Sequence, residues 1–198
     1  MLNKIPTGLM LLLISALLPA CLSTPSTNFY VLESLNQPSA STAETAKKRL
    51  IGVGPLSMPT LLERKQIVTR LPDNSIQIAE FHQWASPLKD NVTQVLTHNL
   101  ANLHPNDIIR AYPWVAYGAV DYRILVDIIR FDTTPEQTVN LEANWAIMDE
   151  KTHTLLSNGR SKIEHTLNDP SYPGTVKALN KILSEFSQEL SLALSKIK

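Results

Sequence analysis

Two periods account for most of the chain. Along residues 119–131, "AVDYRILVDIIRF", Val120, Tyr122, Ile124, Val126 and Ile128 fall on one side of an extended chain, with Asp121, Arg123 and Asp127 on the other. Along residues 138–149, Val139, Leu141, Ala143, Trp145 and Ile147 alternate with Thr138, Asn140, Glu142 and Asn144. A period of two predicts an antiparallel sheet with one covered and one wetter face. "HTLLSNGRSKIEHTL" extends it after a "DEKT" turn, with Arg160, Lys162 and Glu164 outward. Upstream, "KQIVTRL" and "SIQIAEF" flank "PDN" and predict a hairpin. "NFYVLES" and "RLIGVGPLSMP" predict two further strands, the second closed by Gly and Pro. Between them, residues 36–48 are polar and predict a loop with a frayed helical turn.

The period changes twice. Ser86-Pro87 predicts a helix start, with serine as N-cap and proline at the first helical position. Leu88, Val92, Val95, Leu96, Leu100 and Leu103 then share one helical face, and Pro105 ends the helix. Near the carboxyl end, Val176, Leu179, Leu183, Phe186, Leu190, Leu194 and Ile197 stripe a helix over residues 175–197. The prediction is a single α+β domain: a mainly antiparallel sheet with two main amphipathic helices packed on one face.

The amino terminus has a different character. Lys4 precedes the unbroken apolar run "LMLLLISALL", residues 9–18. As a helix this run spans roughly 15 Å, about half a bilayer core, so it predicts a secretory signal peptide instead of a membrane span. It ends in "LLPAC", which resembles the bacterial lipobox: a branched apolar residue three places before cysteine and a small one just before it. Cys21 is the single cysteine of the 198-residue chain, which excludes an internal disulfide. An ordinary signal peptide with a chance cysteine is the plainer alternative.

The lipobox resemblance implies cleavage before Cys21 and acylation of that residue. The expected division is a signal peptide over residues 1–20, a lipid-anchored tether over 21–27 and one domain over 28–198. Several acyl chains give a stable anchor where one gives marginal binding. Residue 22 is Leu, not the Asp that resembles an inner-membrane retention signal, which implies the outer membrane and a domain facing the periplasm.

Charge then narrows the partners. Eighteen basic residues balance eighteen acidic ones, so no net field draws the protein to nucleic acid. Candidate chemistry is thin. "EFHQWASPL", residues 80–88, brings Glu80, His82, Trp84 and Ser86 together, and Glu80 and His82 would share a strand face. Yet the five histidines contain no i,i+4 pair, and no G-x-S-x-G elbow or phosphate loop occurs. The plainer reading is a joint, in which Trp84 packs over a strand end and Ser86-Pro87 starts a helix. No cofactor or metal is expected. Asn91-Val92-Thr93 matches a glycosylation sequon on a helix face and is set aside as noise. "YPWVAY" places Tyr112, Trp114 and Tyr117 between strands, as a partner or lipid contact or as a cap on the core.

"GVGPLSMPTLLERKQIVTR", "IQIAEFHQWASPL", "VLTHNLANL", "AYPW", "DYRILVDIIRFD" and "VNLEANWAIMDE" stand in an order that resembles the ABC-type transport auxiliary lipoproteins, the paraquat-inducible protein C family of membrane-integrity transport systems. The resemblance runs from about Phe29 to the last helix. It implies a non-enzymatic, outer-membrane-anchored periplasmic domain. Its partner would be an inner-membrane protein carrying mammalian-cell-entry (MCE) domains, whose lipid tunnel it would dock at the outer membrane. Ring-shaped partners leave a matching homo-oligomer open. The family carries no catalytic residues over; the position that maps is Cys21. A pilotin-like or barrel-accessory assembly lipoprotein is the alternative, and a periplasmic hydrolase working through Glu80 and His82 is a third.

Overall fold

The computed structural model describes residues 25–34, 48–114, 116, 118–134 and 138–197. The strands are β1 (Asn28–Tyr30), β2 (Leu50–Ser57), β3 (Gln66–Arg70), β4 (Ile76–Trp84), β5 (Ile108–Ala111), β6 (Tyr122–Thr134), β7 (Thr138–Asp149) and β8 (Thr154–Thr166). Helix α1 (Leu88–Leu103) joins β4 to β5, and helix α2 (Tyr172–Leu194) closes the chain.

The sheet is organised around β6. Along one edge β6 pairs with β7 from Tyr122↔Asp149 to Thr134↔Thr138, antiparallel, and β8 continues the ladder beyond β7. On its other edge β6 takes β2 in parallel from Ile51↔Tyr122 to Ser57↔Asp127, and touches β3 at Thr69↔Thr133. The β3–β4 hairpin is antiparallel, whereas β5 joins β2 and β1 joins β4 in parallel. The class is the α+β expected, and the sheet is mixed: its two long ladders, β6–β7 and β7–β8, are antiparallel, while β6 takes β2 and β3 in parallel on its other edge.

Both helices cover one face. From α1, Val92, Leu96 and Leu100 are fully buried; from α2, Leu183, Phe186 and Leu190; from the sheet, Ile51, Ile124, Leu141 and Ile147. Each such side chain contributes about 1.5–3 kcal/mol by leaving water, so this layer is the principal source of stability. The polar positions of the alternating strands pair among themselves, several of them, Asp132 and Asn140 included, away from solvent. Asp132 accepts from Arg130 Nε at 2.7 Å and Arg70 Nε at 3.2 Å, and Arg160 lies against Glu142.

Two local expectations change. The cap position of α1 is Pro87, not Ser86, and it makes no side-chain cap bond; its carbonyl accepts from Asn91 N at 3.1 Å. A fixed proline φ lets the residue sit just outside the helix as well as just inside it. Helix α2 runs from Tyr172 to Leu194 where the apolar stripe predicts 175–197: it begins three residues earlier, where Ser171 Oγ caps Gly174 N at 3.1 Å and Pro173 occupies the first turn, and ends three earlier. Strand β5 is a strand the period did not show, because four residues are too few for alternation to register. The polar stretch 36–48 lies almost wholly outside the described residues.

Candidate functional site

Cys21 and Tyr117 lie outside the described residues. What the structure does place is the segment that leads away from Cys21. β1 lies along the far end of β4, Asn28↔His82 to Tyr30↔Trp84, and Ala85 N donates to Tyr30 O at 2.8 Å. Beyond the strand, the Asn91 side chain of α1 brackets Leu32. It accepts from Leu32 N at 2.7 Å and donates to Leu32 O at 3.3 Å. Asn180 of α2 accepts from Glu33 N at 3.1 Å. Residues 28–33 thus form a strap fastened to the sheet and to both helices. The sequon asparagine, set aside in the sequence, is one of its clasps.

The strap's side chains extend the fastening. Tyr30 Oη lies 2.8 Å from His82 Nδ1, and the His82 ring stacks on Tyr172 at the start of α2, centroids 3.7 Å apart. Burial, with Tyr172 adding to it, pushes the Tyr30 phenol above its ordinary range, so it stays neutral and can donate. His82, suspected of catalysis with Glu80, is therefore occupied as a clamp, while Glu80 is exposed on the bowed middle of β4. Trp84, 5% exposed, packs in the core as the joint requires.

The aromatic loop after β5 divides its labour. Tyr112 and Trp114 meet edge to face, centroids 5.3 Å apart. Trp114 is half-buried over β2, and a Cβ on Gly52 would come within 2.7 Å of its ring. Gly54 has φ +115° at the β2 bulge, a conformation L side chains avoid, and Tyr112 Cβ would lie 2.8 Å from a Cβ there. Two glycines therefore let the loop lie flat on β2. Tyr112 keeps 52% of its surface exposed. Beside it an open groove runs between Tyr112-Pro113, Pro55-Leu56 and the first turn of α1 at Lys89 and Asp90.

One cluster carries no sequence signal. Ser191 Oγ lies 2.8 Å from His104 Nε2, and His104 Nδ1 is 3.6 Å from Asp107 Oδ2. The order suggests a relay, but 3.6 Å is too long for a hydrogen bond. Asp107 instead accepts from Nε and Nη2 of Arg49, at 2.9 and 2.6 Å, while Arg49 Nη1 donates to Ile197 O at 2.9 Å. The cluster braces the ends of α1 and α2 against the start of β2. Among the described residues, no group of three or more His, Cys, Asp or Glu side chains could hold a metal ion. No helix among them is long and apolar enough to cross a membrane.

Comparison with known proteins places this architecture. A family model described as the ABC-type transport auxiliary lipoprotein component matches residues 30–191. The intermembrane transport lipoprotein PqiC of Escherichia coli (strain K12) is 25% identical over 171 residues, 86% of each chain, and that of Shigella flexneri matches equally. The fold is similar to a crystal structure of an uncharacterized protein at a TM-score of 0.72, with 20% identity, covering 86% of this chain and 99% of that one. It is also similar to protein XCC0632 from Xanthomonas campestris, at a TM-score of 0.66 with 14% identity, covering 85% and 98%.

Proposed function

The chain belongs to the family of ABC-type transport auxiliary lipoprotein components, and from that membership we propose that it is an outer-membrane lipoprotein, acylated on Cys21, whose periplasmic domain docks an MCE-type transport tunnel. In this reading residues 1–20 are removed, residues 21–27 are the tether, and the role is non-catalytic. The observation that carries it is the placing of β1. Asn28 stands seven residues after Cys21, and from there the strap is bonded to the sheet and both helices. An anchor attached through so short a tether to such a strap keeps one firmly held end of the domain near the membrane, which is what a docking part needs.

Where the sheet meets the helices beside Trp84, Phe131 and Leu179, the cavity is about 10 Å³, room for one water and not for an acyl chain. The partner-facing side chain in this reading is Tyr112, exposed at the groove, with Trp114 and Tyr117 in the same loop. Purification of the native acylated protein in mild detergent, with mass spectrometry of what accompanies it, tests the proposal. A stoichiometric MCE-domain protein is the expected result. Recovery of a barrel or secretin protein alone, or of nothing, overturns it.

A further inference from the structure

The strap has an outward side that the docking reading leaves unused. Tyr30 and Leu32 turn inward, Leu32 to 4% exposure, while Phe29 and Val31 point away and keep 64% and 49% of their surface exposed. On the adjoining strand Phe29 stands beside Gln83, and the half-buried Phe81 lies on the same side of β4. An edge strand and the residue after it that put Phe29 and Val31 into water, next to bonds that hold them in place, present a surface built to be covered.

The covering must come from what the chain itself brings close. From Cys21 to Asn28 the extended chain reaches at most about 25 Å, so lipid attached at Cys21 keeps β1 beside the bilayer. Leu192, also exposed at 66%, lies about 30 Å from Tyr172 along α2 and has no such tie. Charges of both signs lie around the strap: Glu33 and Glu80 are exposed carboxylates, and the exposed Lys65 accepts through its carbonyl from Trp84 N at the end of β4, so among the described residues no cluster of cations there draws anionic headgroups.

We propose that Phe29 and Val31 form a membrane-contact stripe that inserts at the boundary of headgroups and acyl chains, so that the domain lies on the bilayer through β1 instead of hanging from a free tether. This rests on the lipoprotein reading of Cys21. The acyl chains supply the affinity; the stripe fixes which side of the domain meets the lipid. The aromatic loop, on the opposite part of the sheet order beside β2 and β5, is then left available to a partner.

The test uses the acylated full-length product, reconstituted into vesicles of phosphatidylethanolamine and phosphatidylglycerol. Acylation consumes Cys21, so Phe29→Cys, Val31→Cys and Leu192→Cys each give a single free thiol for a fluorescent label. Thermal unfolding confirms that each variant folds. Labels at 29 and 31 are expected to be quenched several-fold more by a lipid-borne quencher than the label at 192, and to be shielded from aqueous iodide. Labels at 29 and 31 that iodide reaches as readily as at 192 overturn the stripe while vesicle-bound, acylated protein leaves the lipoprotein reading standing. Shielding from both quenchers also overturns it, since a second copy of the chain then covers β1. Protein that mass spectrometry finds unacylated at Cys21, and that does not float with vesicles, overturns both readings.

Discussion

His82 lies face to face with Tyr172, their planes 16° from parallel, and holds the Tyr30 hydroxyl at its Nδ1. Three elements far apart in sequence, β1, β4 and α2, meet in that stack. Its place at the root of the tether makes it a fastening for the strap. In "EFHQWASPL" the histidine beside the glutamate thus gives one ring face to Tyr172 and one ring nitrogen to Tyr30.

Tyr30→Phe removes one hydrogen bond and leaves the stack. It should cost about 1 kcal/mol in a thermal or denaturant melt, the usual net worth of such a bond. His82→Ala removes bond and stack together and should cost more. Equal melting temperatures for the two variants would show that the stack contributes nothing.

Asn91→Ala unclasps the strap from α1 without touching the core. Hydrogen exchange at Leu32 N–H should accelerate strongly, while amides in β6 and β7 keep their protection, because the strap opens locally and the sheet does not. Acceleration spread evenly across the domain would count against a local clasp.

Gly52→Ala sets a methyl against the Trp114 ring, and overpacking of this kind typically costs about 1–3 kcal/mol. The ring must tilt away from β2, which tryptophan fluorescence will register. Tyr112→Ala is the counterpart: half-exposed, it should leave the melt nearly unchanged and lower recovery of the transport partner. If Gly52→Ala weakens the partner and Tyr112→Ala does not, the contact belongs to Trp114.

Alternation and helical spacing located both helices, the β3–β4 hairpin and the β6–β7–β8 meander, because neighbouring antiparallel strands each bury one face and say so residue by residue. Parallel pairings left no such mark. Nothing in "NFY" announces that it will lie beside "HQW", since the partner is chosen by what β4 and α2 leave open. The strap was invisible for the same reason: Asn91 and Asn180 are polar residues on helices, ordinary anywhere, and their meaning lies in contacts made across the whole chain. Trp114 was legible as a residue of interest, but only the approach to Gly52 distinguishes a packed ring from an offered one.

The brace at the carboxyl end should give stability a dependence on pH. His104 is 11% exposed at its side chain, and burial holds its pKa below the ordinary histidine value, against the opposing pull of Asp107 and Ser191 and with a small contribution from Arg49. Above about pH 6.5, the unfolded value, both states are neutral at this ring and the group adds no slope. As pH falls below that value the unfolded chain takes up the proton first, so stability declines, and the decline levels off once the folded pKa is passed. His104→Gln removes the titration and keeps an amide within reach of Ser191. Denaturant midpoints between about pH 8 and about pH 5 should therefore fall further for the native protein than for His104→Gln. Parallel curves would mean that the ring takes its proton without strain, and that Asp107 outweighs burial at the end of α1.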